Sequence, residues 1–266
     1  MNLYLREINK NKKSLMIWTA IIVTLVVMVM AFYPTISAET ETYERMLESM
    51  PKGFTAAFGV GSLSMGNIFG YYAIEGYLMI TLLGSIYAVM LASGILSKEE
   101  SDKTIEFLLS KPITRKEIVT NKLLSYITNI IILNIIATIV LFISFQIFKE
   151  DDFNMKTFIL ISIAPLLLHL VFAAIGFLVS VFITKGKKVT PIALGIVLVT
   201  YFMGILAELS DKLEFLKYLS PFKYFEAKDI ISNDAIQMKY IALTVIINLV
   251  CIVLTYVFYS KKDITV

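Results

Sequence analysis

Residues 97–124 read SKEESDKTIEFLLSKPITRKEIVTNKLL, and this charged stretch sits between two long apolar runs. It is too polar to lie in hydrocarbon, so it divides the chain into crossings and connections. Working outward, the apolar runs fall at 15–32, 74–96, 123–148, 158–183, 191–206 and 240–259. Each approaches the roughly 20 residues needed to cross about 30 Å of hydrocarbon. Backbone groups in lipid must be satisfied internally, and the runs are continuous rather than alternating with a period of two. Helices are therefore expected and a β-barrel is disfavoured. The expected fold class is all-α: a polytopic integral membrane protein with six transmembrane helices, forming one domain over residues 1–266.

Composition agrees. Hydrophobic residues make up 58% of the 266 residues, and the mean hydropathy is +0.78. Soluble domains with buried cores are excluded by that balance. Charge is clustered. Arg6, Lys10, Lys12 and Lys13 precede the first run, while Lys98, Lys103, Lys111, Arg115, Lys116 and Lys122 lie between the second and third. Lys185, Lys187 and Lys188 follow the fourth run, and Lys261 and Lys262 follow the sixth. These segments alternate correctly to be cytoplasmic, which places both termini inside. The other connections carry most of the acids, among them Glu39, Glu41, Glu44, Glu48, Glu150, Asp151, Asp152, Asp211 and Asp234, and are expected outside. The net charge of +3 thus reflects topology, and no basic, aromatic-interleaved patch suggests nucleic acid.

The first run is longer than a signal-peptide core and no small-x-small cleavage site follows, so it is expected to be a retained span. Before it, Leu3, Leu5 and Ile8 with the basic residues predict a short helix over 2–13 lying along the inner interface. Cys251 is the single cysteine, which leaves no internal disulfide or cysteine metal site.

Within the charged stretch, Thr104, Phe107 and Leu108 stand at i, i+3 and i+4, giving a short helix one apolar face. Pro112 stops that helix. Thr114 and Glu117 then fit a capping box that starts a new helix running into the third span. A short rod joined to a membrane helix through a Pro-containing turn suits mechanical coupling. A solvated basic loop that only enforces topology is the alternative.

The run GILSKEESDKTIEFLLSKPITRKEIVTNKLL resembles the membrane subunits of ABC transporters of the type-2, exporter-like permease family. That family's pattern is an acidic pair, Gly-Thr, a Leu-rich short helix, Pro, a small hydroxyl residue and Arg, then Gly-Lys-Leu before the third span. Glu99, Glu100, Thr104, Phe107, Leu108, Leu109, Pro112, Thr114, Arg115, Lys122 and Leu123 match it, while Lys103 and Asn121 stand where Gly is usual. The resemblance extends to the N-terminal segment, the six-span layout, the long first outer connection and YLSPFKYF before the last span.

The resemblance implies an ATP-driven exporter subunit with a coupling segment at 97–122. Of two cytoplasmic ATPase subunits, one would receive the coupling helix Thr104–Leu109 in a groove, contacting Glu100, Thr104, Phe107, Leu108, Pro112 and Arg115, with Glu100 and Arg115 orienting the segment through ion pairs or cap bonds. A second permease chain, identical or homologous, would complete the pathway in a bacterial plasma membrane, surrounded by lipid. No G-x-x-x-x-G-K-[ST] occurs in this chain, so ATP and Mg would be held by the partner; Gly59-x-Gly61 is read as a turn. The chain itself is expected to carry no cofactor, metal site or catalytic residue.

Polar residues inside the spans are few. Asn129, Asn134, His169 and Asn248 are candidate pathway-lining residues, and interhelical hydrogen bonding accounts for them equally. Glu75 and Glu208 sit near outer span ends and are expected to be solvated. Gly84, Ser85, Ala92, Ser93 and Gly94 permit close helix approach, and by the resemblance the second span is the candidate subunit interface. Residues 37–50 predict an amphipathic outer helix, and Ser220 with Pro221 predicts a capped helix start anchored by Phe222, Tyr224 and Phe225. Few fixed charges in the spans suit an amphiphilic or hydrophobic cargo: a peptide, an antibiotic or a lipid-like molecule. An ion-coupled secondary transporter would need repeated halves or intramembrane ionisable groups, and a membrane-embedded enzyme would need a nucleophile or an acid–base pair. Neither pattern is present.

Overall fold

The computed structural model describes residues 3–49, 63–101, 113–183 and 185–262. Thr104, Phe107, Leu108 and Pro112 lie outside the described residues, as does the Gly59-x-Gly61 turn; Glu100 is described in its backbone only. Among the described residues the fold is helical without a strand, and six helices are long and apolar enough to cross a membrane.

Helix α1 spans Leu3–Ala38 and is followed by the short amphipathic α2, Thr40–Glu48. The second crossing begins as α3, Ile68–Tyr71, passes through a π turn at Tyr72–Gly76, and continues as α4, Tyr77–Ser101. The remaining crossings are α5, Arg115–Phe148; α6, Met155–Ser180; α7, Val189–Leu209; and α9, Met238–Lys261. Between the last two, 3-10 turns at Asp211–Tyr218 and Pro221–Phe225 lead into α8, Ala227–Asn233. Six crossings return both termini to one end of the bundle, hereafter the termini-bearing end.

Of the short interfacial helix expected over 2–13, residues 3–13 are the first turns of α1, continuous with the span. Nothing breaks the helix between them and the apolar run, because no Gly or Pro occurs before Pro34. At 1.5 Å per residue its 36 residues reach about 54 Å, well beyond the hydrocarbon thickness. Leu3, Glu7 and Asn11 are buried at four-residue spacing and continue the same face as Ile22, Val26 and Met30. That face lies along α5.

The centre of the bundle is α4, packed most extensively on α6. The apolar window of the second crossing is 72% buried, against 17% for those of α7 and α9. Missing side chains allow the approach. A Cβ on Gly84 would stand 2.2 Å from His169 Cε1 and Nε2, and one on Gly176 would stand 2.9 Å from Val89 O. Ser85, Ala92 and Ser93 are fully buried. The small residues of the second span thus pack inside the chain.

At the opposite end, Phe145 is fully buried among Phe69, Tyr72, Phe153 and Phe158, with ring centroids 5.3–5.6 Å away. Such tilted and edge-to-face pairs each add about 0.5–1.5 kcal/mol beyond area burial. Outward faces are apolar, as lipid requires: Ile131, Ile135, Ile139 and Ile143 on α5, and Val245, Leu249 and Val253 on α9.

Candidate functional site

Helices α4 and α5 flank the undescribed residues 102–112, and a buried ion cluster ties their ends together. Lys122, on α5, has no exposed surface. Its ammonium donates to Ile95 O at 2.6 Å, to Glu99 Oε1 at 3.3 Å and to Glu7 Oε1 at 3.3 Å. Three acceptors match its three N–H groups. Glu99 is fully buried and Glu7 is 2% exposed; Lys10, at the edge, approaches Glu99 to 3.8 Å. Among the described residues two acids, Glu7 and Glu99, meet two bases, Lys122 and Lys10.

Ions this deeply buried are tolerated only when paired and hydrogen-bonded. The chain arranges this by helical spacing. Glu7 and Asn11 lie one turn apart on the buried face of α1, and the Asn11 amide donates to Glu7 O at 3.0 Å. Glu99 lies one turn beyond Ile95, so one lysine reaches both. The clasp therefore joins α1, α4 and α5 near the end of α4 and the start of α5. A second contact between α1 and α5, Tyr4 Oη to Thr128 Oγ1 at 3.0 Å, lies beside it.

The capping box is present. Thr114 N donates to Glu117 Oε2 at 2.7 Å, and Glu117 N donates to Thr114 Oγ1 at 3.2 Å. Arg115 does make cap bonds, but its target is α9. Its Nη1 donates to the carbonyls of Tyr259, Ser260 and Lys262 at 3.3, 3.1 and 2.7 Å. These carbonyls end a helix, where a cation also meets the negative end of the dipole. Thr120 Oγ1 and Tyr256 Oη, 2.7 Å apart, make a second tie between α5 and α9. At this end α5 is thus bonded to α1, α4 and α9.

The candidate pathway residues lie apart from this cluster. Asn134 and His169 meet each other, with Asn134 Nδ2 3.0 Å from His169 Nδ1. His169 Nε2 lies 3.2 Å from Ile80 O, so the ring donates there and accepts from the amide as a neutral Nε2–H tautomer. Asn129 is fully buried on α5 and donates to Ser125 O at 2.8 Å; Asn248 is half-buried on α9 and donates to Thr244 O at 2.8 Å.

Two expectations at the other end change. Ser220 precedes the Pro221–Phe225 turn but makes no cap bond, and its hydroxyl is buried against Gly204. Glu208 is paired rather than solvated: it contacts Lys223, and Lys228 at 2.8 Å. Tyr224 stacks on Tyr240 at 5.2 Å, and Asp234, at φ 49°, ends α8 in the left-handed region that Asp tolerates.

Sequence reasoning assigned Lys122 to topology and to the family pattern, Glu99 to that pattern alone, and it missed Glu7. The available signal was Glu7 and Asn11 one and two turns after Leu3 on a face otherwise apolar. Among the described residues no cluster of His, Cys, Asp and Glu is arranged to hold a metal.

A sequence model described as ABC-2 family transporter protein matches residues 1–264. No curated protein matches the chain.

Proposed function

The chain belongs to the ABC-2 transporter family, and from that premise we propose that it is the membrane-spanning subunit of an ATP-driven exporter. In this reading it pairs with a second permease chain and two ATPase subunits, which bind ATP and Mg. The termini-bearing end faces the cytoplasm of a bacterial cell, and the cargo is amphiphilic or hydrophobic. Residues Thr104, Phe107 and Leu108 supply the ATPase contact, and residues 97–122 transmit its motion.

The observation that supports this reading is Lys122, buried and bonded to both Glu7 and Glu99. A segment pushed by a partner transmits work only if its ends are fixed to the bundle, and this clasp fixes both. Driving a two-state equilibrium from 1:99 to 99:1 takes about 5.5 kcal/mol, a scale that nucleotide binding and hydrolysis in the partner can supply. Arg115, bonded to the end of α9, spreads the displacement to a further crossing.

The test is co-reconstitution of this chain with its P-loop ATPase in liposomes. ATP-dependent export is expected, and Phe107→Asp should abolish export while membrane insertion and basal ATP turnover persist. Export by the chain alone without nucleotide, or protease mapping that puts residues 97–122 outside the cell, overturns the proposal.

A further inference from the structure

A cavity of about 90 Å³ opens near the end of the bundle opposite the termini, between α4, α6, α7 and the Pro221–Phe225 turn. Its walls include Tyr77, Thr81, Leu168, Tyr201 and Phe222, while Lys223, Glu226 and Lys228 stand on one side. The Tyr77 hydroxyl donates to Phe225 O at 2.6 Å and pins the turn to α4, so the charged groups keep their place beside the cavity.

Those charges form a closed ring of alternating sign. Lys223 contacts Glu208 and Glu226; Lys228 lies 2.8 Å from Glu208 and 3.6 Å from Glu226. Their side chains are between 11% and 30% exposed. Every ion already has two partners. A ligand of one net charge would displace an ion from the ring and leave its partner poorly matched in a half-buried place. A headgroup bearing both signs exchanges with the ring pair for pair and leaves nothing unmatched. Burial holds the Glu226 carboxyl above the usual carboxylate range despite the neighbouring lysines. The Tyr201 and Phe222 rings, 5.5 Å apart and edge to face, offer an apolar wall beside the ring.

We propose that this cavity binds a zwitterionic amphiphile, with its ammonium and anionic groups engaging the Glu208–Lys223–Glu226–Lys228 ring and its chain entering against Leu78, Leu168, Tyr201 and Phe222. The space is below the about 150 Å³ that takes a benzene, so it holds the first carbons of a chain rather than a whole lipid tail. The inference concerns binding by this chain itself. The assay below contains no ATPase, so its failure and a failure of export are separate results.

The full-length chain in phosphatidylglycerol nanodiscs is titrated by calorimetry with hexylphosphocholine, hexyl phosphate and hexyltrimethylammonium. The zwitterion is expected to bind at least tenfold more tightly than either singly charged probe. Leu78→Trp, which fills the cavity, and Lys228→Met, which opens the ring, should each weaken it at least tenfold. Equal affinity for the three probes overturns the proposal, as does zwitterion binding that survives Leu78→Trp. Should either variant unfold, hydrogen exchange on the wild type decides: added protection at residues 73–81 supports the site, and none there overturns it. Nanodiscs containing phosphatidylethanolamine then identify the source. Competition with the probe assigns the site to a bilayer lipid, and no competition assigns it to an amphiphile arriving from water.

Discussion

Lys122 and Glu7 are 115 residues apart in the chain and 3.3 Å apart in the fold, and neither side chain is open to solvent. A pair so placed is conditional: each ion is tolerable only while the other is present. Lys122→Met is expected to take the buried ammonium from between Glu7 and Glu99 and to destabilise the chain by about 3–5 kcal/mol. Adding Glu7→Gln and Glu99→Gln should recover much of that loss. Chemical unfolding in detergent measures both. In the reconstituted transporter the triple variant should remain inserted yet export poorly for each ATP consumed.

Gly84 and Gly94 lie on the same helix and should respond oppositely to alanine. A Cβ at Gly84 meets the His169 ring at 2.2 Å, and that ring is held by Asn134 and Ile80. Overpacking there should cost about 1–3 kcal/mol. At Gly94 the nearest atoms are Lys98 Cε at 3.6 Å and Val189 Cγ1 at 3.8 Å, an ordinary contact. Gly94→Ala should therefore gain up to about 1 kcal/mol from helix propensity. Thermal unfolding of the two variants gives the sign of each.

Arg115→Ala removes the donor that serves three terminal carbonyls of α9. The last turn of that helix should open more readily, by about 1.5–3 kcal/mol for the loss of charged hydrogen bonds. Hydrogen exchange at residues 257–261 reads this directly. Arg115→Lys should restore only part of it, because a single ammonium lacks the guanidinium's spread of donors.

Asp234 gives an acid dependence outside the spans. A hydrogen bond from the Thr157 hydroxyl holds its carboxyl below the usual 3.8, with burial opposing and Lys156 assisting. Because the folded value is depressed, the stabilisation is complete above pH 3.8 and is lost as pH falls through the lower folded value. The junction of α6 with α8 should loosen below that pH in the wild type, while Asp234→Asn should lose this dependence. Unfolding temperature measured from pH 6 down to pH 3 distinguishes them.

The crossings were legible because lipid imposes a local rule: about 20 apolar residues in a row, with helices as the outcome. Thr114 and Glu117 were legible for the same reason, since a cap is settled within four residues. What escaped was decided between distant segments. Lys122 looks like any other lysine beside a span, and only the meeting of α1, α4 and α5 reveals that it is buried. Arg115 was expected to organise its own segment, and it found the end of α9 instead, 144 residues away for the nearest of its carbonyls. The π turn at Tyr72–Gly76 left no pattern either. It is accommodated where Gly76 leaves room for the Tyr72 ring, 2.7 Å from where a Cβ would stand.

The clasp also sets an order on biosynthesis. A ribosome releases Glu7 and Glu99 before Lys122, so the nascent chain holds two carboxylates waiting for the ammonium that fills the space between them. Until α5 emerges, the ammonium that bonds both acids is absent and the clasp is incomplete. Arrival of a single lysine then completes the clasp, and a chain truncated before it is expected to be cleaved faster by membrane proteases than the full chain.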